Sequence, residues 1–372
     1  MRAWTVTLAV AAIGLGIAAA PAIAVPGNFW GVVPQATPTL EQFERLKRDG
    51  VDSVRIPVSW GVVQPTPGSP IDFSGTDPVI ADAAAAGVDV LPFLFWAPSW
   101  VLPHAPVPGT GGAAQAPRFL PVRNAGQRSG WRQFVIQAVR RYGPQGTFWA
   151  ENPGLPRRPI RVWQIWNEAN FKYFVTRPNP AEYGKLVKFS YAAVKAADRG
   201  ARIVLGGLFS RPAESLIRRG PKQAYFASEF LDLMYKRTPG IKTKFHGVSL
   251  HPYTANFKRL VPYTEEVRRV LRAHRDAGKG LWVTELGWSS QRPNRRNSFA
   301  KGLSGQAAQL RGAFRLLRNR QPAWRVQRVY WFSVDDQEGS CNFCDGSGLF
   351  RDGFIPKPAW RAFVGFAGGR AG

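Results

Sequence analysis

The run Arg161-Val162-Trp163-Gln164-Ile165-Trp166-Asn167-Glu168-Ala169-Asn170 begins as a buried strand would and ends in an amide and a carboxyl. Strands covered on both faces are rich in branched and aromatic residues. A Glu at the carboxyl end of one is therefore either a costly burial or a working group held at a barrel mouth. A second run of the same build, Leu281-Trp282-Val283-Thr284-Glu285-Leu286-Gly287-Trp288, lies far downstream.

Working outward from these two runs, the chain alternates strands and helices. Strands are expected at Asn28–Pro34, Val51–Trp60, Asp89–Trp96, Arg161–Glu168, Arg202–Leu208, Phe245–Leu250, Leu281–Glu285 and Arg328–Ser333. Between them, helix signals recur. Thr39-Leu40-Glu41-Gln42 has the form of a capping box, with Gly50 as its stop. Thr76-Asp77-Pro78 opens a second helix ended by Gly87. Further helices are expected at Trp131–Tyr142, from Asn179 to Gly200, Gln223–Lys236, Tyr263–Ala277, Gln306–Asn319 and after Pro358. Eight strand and helix pairs predict an α/β fold, a single (β/α)8 TIM barrel with its active site at the carboxyl ends of the strands, over residues 25–372. An open doubly wound sheet would need fewer units and usually a glycine-rich phosphate turn. The irregular stretches after strands three, seven and eight (Pro103–Gly130, Gln291–Ser304, Asp335–Pro358) all fall on the catalytic face, whereas Gly143–Pro159 falls on the opposite one.

Residues 1–24 read as a signal peptide. Arg2 precedes an uncharged run from Trp4 to Ala20, and Ala22-Ile23-Ala24 fits a small-residue cleavage site before Val25, so export is expected, extracellular or at the cell envelope; an uncleaved membrane anchor is the alternative. No later segment is long and apolar enough to span a bilayer. In an exported chain the only two cysteines, Cys341 and Cys344, are expected to form a disulfide across their short loop. Four scattered His and one cysteine pair give no ligand set for zinc, so neither metal nor cofactor is expected. With 50 Lys plus Arg against 24 Asp plus Glu, the formal net charge is +26. This suits anionic partners such as an acidic glycan, yet the arginines form no stripe and no nucleic-acid module is evident. A generally basic, monomeric protein without specific nucleic-acid binding is the plainer reading.

Glu168 and Glu285, each closing an apolar strand, are expected to face one mouth. Breaking a glycosidic bond needs a proton for the departing oxygen and a group that stabilises or traps the oxocarbenium-like centre, and two carboxyls of unlike pKa supply both. A gap of roughly 5 to 5.5 Å would retain the anomeric configuration, and one of about 6.5 to 9.5 Å would admit a water and invert it.

Trp166-Asn167-Glu168 and Thr284-Glu285-Leu286-Gly287-Trp288 resemble the strand-four and strand-seven signatures of the clan A retaining glycoside hydrolases. Arg55 in Val54-Arg55-Ile56-Pro57 is similar to the clan's strand-two arginine, His251-Pro252-Tyr253 to its strand-six His-x-Tyr, and Trp331 to its strand-eight tryptophan. The run from Trp60 to Trp100, with Pro65, Gly68, Asp72-Phe73 and Ala97-Pro98-Ser99-Trp100, looks most like family 39 and its nearest family 5 members. The resemblance implies a glycosidase acting on a polysaccharide or oligosaccharide by double displacement. Glu168 would be the acid/base, Glu285 the nucleophile, and Asn167 the partner of the sugar 2-hydroxyl. Ala169 departs from the pattern, standing where many relatives carry a proline.

Arg55 and Tyr253 beside Glu285 would favour its ionised form, and Glu168 among aromatics would hold its proton longer. His251 could orient a hydroxyl or a carboxylate. Each has a plainer alternative as a structural ion pair or a satisfied core residue. Of the 14 Trp, Trp163 and Trp282 are expected to face the helices, and Trp96, Trp100, Trp288 and Trp331 to offer faces for stacking on sugar rings. Two further functions remain compatible with the same residues: a catalytically silent barrel that binds an envelope glycan, and a transglycosylase sharing the covalent intermediate.

Overall fold

The computed structural model describes residues 25–101, 119–218, 222–337 and 344–369. The eight expected strands are present: β1 Trp30–Val33, β2 Ser53–Ser59, β3 Asp89–Phe95, β4 Val162–Ile165, β5 Arg202–Leu205, β6 Gly247–His251, β7 Gly280–Leu286 and β8 Val326–Phe332. All neighbours are parallel. β1 lies between β2 and β8, the ladder runs on to β5 on one side and β6 on the other, and Val204 pairs with Gly247 to close the ring. A two-residue continuation of β5, Leu208–Phe209, pairs with the end of β6. The architecture is the (β/α)8 barrel that the alternation predicts.

Eight helices cover the strands: α1 Leu40–Arg48, α2 Asp77–Ala85, α3 Ala125–Tyr142, α4 Pro180–Ala197, α5 Ala227–Arg237, α6 Leu260–Ala273, α7 Gly302–Asn319 and α8 Pro358–Ala367. Their starts follow local chemistry. The capping box of α1 is complete, with Thr39 accepting from the Gln42 N–H and Gln42 accepting from the Thr39 N–H. Asn179 caps α4, with Pro180 in its first turn. At two of the bounds that differ from expectation, a cap or a dihedral explains the difference. α3 begins well before Trp131 because Asn124 accepts from the Gln127 N–H. α6 ends at Ala273, ahead of Ala277, and Arg275 beyond it is left-handed at φ 52°.

The strands sort their side chains into two layers. Val33, Leu91, Val204, Trp282 and Tyr330 fill the barrel interior, and the larger core lies between strands and helices. Trp163 faces the helices as expected, but Trp282 does not: it packs inside the barrel. Strict alternation counted back from Glu285 puts Trp282 outside. The pairing of β7 with β8 instead slips between Val283 and Leu286, so Trp282 and Thr284 point inward and Glu285 still reaches the mouth. No helix among the described residues is long and apolar enough to cross a membrane. The expected signal segment, Cys341 and most of the connection after β3 lie outside the described residues; Cys344 is buried.

Candidate active site

At the carboxyl ends of β2, β4, β6 and β7, six polar side chains meet in one cage. β4 ends in a backbone that no plain strand would adopt. Trp166 and Glu168 sit in the left-handed region at φ 69° and 41°, a conformation costing on the order of 1–3 kcal/mol for each non-glycine residue. The turn is held by the Trp166 N–H to the Leu94 carbonyl at 2.8 Å and the Glu168 N–H to the Gly207 carbonyl at 3.1 Å. Asn170 clamps it from below, its amide donating to the Phe209 and Tyr225 carbonyls at 2.8 Å each and accepting from the Phe209 N–H at 3.0 Å. The indole of Trp166 swings out against Trp131, leaving Asn167 and Glu168 to face the axis.

Arg55, fully buried on β2, organises the cage. Its Nε donates to Gln164 Oε1 at 2.6 Å, Nη1 to Glu285 Oε1 at 2.7 Å and Nη2 to Asn167 Oδ1 at 2.5 Å, while its guanidinium lies 4.0 Å from the Phe93 ring centre. Tyr253 donates its hydroxyl proton to Glu285 Oε2 at 2.8 Å, so both oxygens of Glu285 accept. Among the described residues Glu168 meets only His251, whose Nδ1 lies 2.7 Å from its Oε1 and 3.4 Å from Glu285 Oε2. Oxygen atoms of the two carboxyls come within 4.8 Å of each other.

The environments of the two acids are unequal. Burial raises the Glu168 pKa well above the ordinary carboxylate range, the negative charge of Glu285 adds to this, and Arg55 opposes it. Burial holds Glu285 above its ordinary value too, though there the Arg55 charge and hydrogen bonds from Tyr253 and Arg55 offset part of the rise. Glu168 is thus the group that holds a proton and Glu285 the one that gives it up. Burial, with Arg55 nearby, keeps His251 well below its ordinary value and neutral. Its tautomer follows from the donors around it. Gln164 Nε2 donates to Thr284 Oγ1 at 3.2 Å, and the Thr284 hydroxyl then finds His251 Nε2 as its acceptor at 3.0 Å. Nδ1 carries the proton and donates it to Glu168. Glu168, His251 and Glu285 could each offer one ligand atom to a metal ion. A cation there would lie against the Arg55 guanidinium already bonded to Glu285.

The structure brings together Arg55, Asn167, Glu168, His251, Tyr253 and Glu285. Two aromatic assignments are corrected. Trp331 and Trp288 are fully buried, their indole N–H groups donated to the Ser347 carbonyl at 3.1 Å and the Thr254 carbonyl at 2.7 Å, with no face left for a sugar. Alternation along β8 sends Trp331 toward Phe314 and turns its neighbour Phe332 inward, edge-on to Tyr253. Phe332 therefore holds the place expected of Trp331. Trp100 is half-buried, edge-on to Trp60, with its N–H on the Gln64 carbonyl, and so braces the loops after β2 and β3 together. Trp96, partly exposed, lines a groove of about 930 Å³ above β1, β2 and β3. Contacts from Phe93 through Phe95 to Trp96 join this groove to the ring under Arg55.

Gln164, Thr284 and Phe332 were not among the expected site residues. Gln164 and Thr284 do carry a signal, being polar in strands otherwise apolar. Glycine was missed as well. A Cβ on Gly207 would overlap the His251 ring, and one on Gly206 would stand 2.6 Å from the Trp166 carbonyl, so the ends of β4, β5 and β6 converge only over this pair.

The chain matches a family model described as the glycosyl hydrolase catalytic core over residues 165–354, about half of its length. No curated protein matches it. Among solved structures, a family 39 glycoside hydrolase from the gut symbiont Bacteroides cellulosilyticus WH2 is 22% identical with a TM-score of 0.60, covering 91% of this chain and 63% of that one. The chain thus spans less than two thirds of that protein. A GH39 beta-xylosidase from Caulobacter crescentus is 20% identical (TM-score 0.61, 92% and 72% covered), and a GH5_18 protein from Bifidobacterium longum subsp. longum ATCC 55813 is 14% identical (TM-score 0.61, 91% and 78% covered). At these identities the likeness establishes the fold, and it agrees with the family 39 and family 5 resemblance of the sequence.

Proposed function

We propose that this chain, which belongs to the glycosyl hydrolase catalytic core family, is an exported glycosidase that retains anomeric configuration by double displacement on a polysaccharide or oligosaccharide. The observation that carries the reading is the carboxyl pair: oxygens within 4.8 Å, one acid doubly hydrogen-bonded and the other buried, with no Arg or Lys bonded to it among the described residues. That spacing is short of the roughly 6.5 to 9.5 Å that would seat a water for inversion. In the first step the Glu285 carboxylate attacks the anomeric carbon as the glycosidic bond breaks, and the Glu168 proton passes to the departing oxygen. In the second, Glu168, now a carboxylate, takes a proton from water, whose oxygen attacks the same carbon and releases Glu285.

Arg55 and Tyr253 favour the ionised form of Glu285 and aim it. Asn167 accepts from Arg55 through Oδ1, and its Nδ2 makes no hydrogen bond among the described residues, so it can donate to the sugar 2-hydroxyl. His251 fixes the rotamer of Glu168. The signal-like residues 1–24 support export, and with it a disulfide between Cys341 and Cys344. The groove beside Trp96 supports a substrate longer than one sugar.

Because one structural neighbour is a beta-xylosidase, β-xylosides and xylan head the panel of aryl glycosides and polysaccharides on which to assay the mature protein with Glu285→Gln and Glu168→Ala. Glu285→Gln should abolish turnover. Glu168→Ala should keep activity on substrates with good leaving groups and regain more with added azide. If neither change lowers turnover the reading fails, and if the wild type binds glycans without cleaving them the barrel is a binding protein.

A further inference from the structure

A groove of about 710 Å³ runs down the flank of the barrel between α3, α4 and the end of α5, lined by Arg123, Arg128, Lys185, Lys188 and Arg237, with Glu182 the single acid among the described residues. It begins at Val122 and Arg123, where the connection from β3 enters α3, and so starts at the rim of the catalytic face. Lys185 and Lys188 stand one turn apart on α4, and Arg237 closes α5 opposite them.

The charge there is not internally balanced. Arg123 Nε meets Glu182 at 3.2 Å, which cancels one pair. Arg128 donates to the Val122 carbonyl at 3.1 Å and Lys188 to the Pro239 carbonyl at 3.2 Å, contacts that fix the cations without neutralising them. Lys185 and Arg237 make no ion pair among the described residues. Four like charges thus share one concavity within reach of a single Debye length, an arrangement an anionic ligand relieves.

We infer that this groove is a second, non-catalytic binding site for an anionic polysaccharide, whose carboxylate or phosphodiester groups pair with Arg128, Lys185, Lys188 and Arg237. The half-buried Phe189 ring, part of the same lining, supplies an apolar wall for the C–H face of a pyranose. A short groove with one aromatic lacks the extended basic face or stacking series of a nucleic-acid site. A chain held here has one end at the rim of the mouth. The site could therefore retain the protein on a charged polymer whether or not that polymer is cleaved.

The test is fluorescence anisotropy of labelled oligogalacturonate and, separately, of a glycerol-phosphate polymer, with the full mature chain at physiological salt. Lys185→Glu with Arg237→Glu should weaken binding of at least one polymer by about tenfold or more, and the polymer affected identifies the anionic group. The control, Arg311→Glu with Arg315→Glu on the exposed side of α7, makes the same charge change elsewhere and should weaken binding less than about twofold. Both variants should keep wild-type kcat/KM on a small neutral aryl glycoside, which separates loss of this site from any failure of the catalytic assignment. Equal loss in both variants would assign the binding to overall charge and overturn the site. So would no loss in either, or tighter binding of single-stranded DNA through the same residues.

Discussion

Residue by residue, the catalytic reading rests on an asymmetry between two carboxyls that sequence could only suggest. Glu168, Glu285, Arg55, His251 and Tyr253 were legible because charged or polar groups at the ends of apolar strands have few structural excuses. Their partition was not, since it depends on Tyr253 and Arg55 both reaching Glu285 while His251 reaches Glu168. A bell-shaped pH profile of kcat/KM should follow, its acid limb set by ionisation of Glu285 and its basic limb by loss of the Glu168 proton. In Glu168→Gln, assayed on a substrate with a good leaving group, the basic limb should disappear and the acid limb remain. The same residue should matter for stability. A carboxyl whose folded pKa is raised binds more protons folded than unfolded, so its contribution falls as pH rises from the ordinary carboxylate range through the folded value. Glu168→Gln should therefore be more stable than wild type to thermal unfolding near neutral pH, and the gain should vanish below about pH 4, where the carboxyl is protonated folded and unfolded alike. The aromatic roles were less legible. Phe332→Ala should raise KM roughly tenfold with little loss of stability. Trp331→Ala, emptying a core position, should cost about 3–5 kcal/mol in denaturant unfolding and leave KM unchanged in the folded fraction.

For the elements, alternation along a strand is a good guide until a strand bulges. The sequence announces β4 and β7 clearly, and the eight-fold alternation is enough to expect a closed barrel. What it hides is the slip between Val283 and Leu286 that turns both Thr284 and Glu285 toward the mouth and sends Trp282 inside. A one-residue irregularity leaves no mark in hydrophobic pattern, because Trp282 and Val283 are equally acceptable on either face. The left-handed turn at Trp166 and Glu168 is hidden for the same reason: neither residue type advertises positive φ. Gly206-Gly207 is the legible half of that convergence, and it carries a prediction. Gly207→Ala, the smallest change available, should displace the His251 ring and lower kcat by about two orders of magnitude, comparable to losing the alignment of a catalytic group. Gly154→Ala, where a Cβ meets nothing within 4 Å, should be silent in the same assay.

On the scale of the whole molecule, the loops after β7 and β8 are joined by Lys357. Its buried ammonium donates to Asp336 at 2.5 Å, Ser290 at 3.0 Å and the Gly346 carbonyl at 3.2 Å. Burial lowers its pKa, and the Asp336 carboxylate opposes this. These contacts come from residues separated along the chain, which is why the sequence offered no sign that the two loops form one wall. The net charge of +26 was legible as a number but not as a place. Only the folded barrel gathers Lys185 and Arg237 into a groove and, among the described residues, gives the catalytic cage Arg55 as its cation. If Glu285 attacks the sugar while Glu168 manages the proton, as we propose for the cage, two inversions at the anomeric carbon cancel. The anomeric configuration of the first-formed product, followed by proton NMR on a glycoside that the protein turns over, tests this most directly. The configuration of the cleaved bond should be retained before mutarotation sets in; a first-formed product of inverted configuration would rule double displacement out.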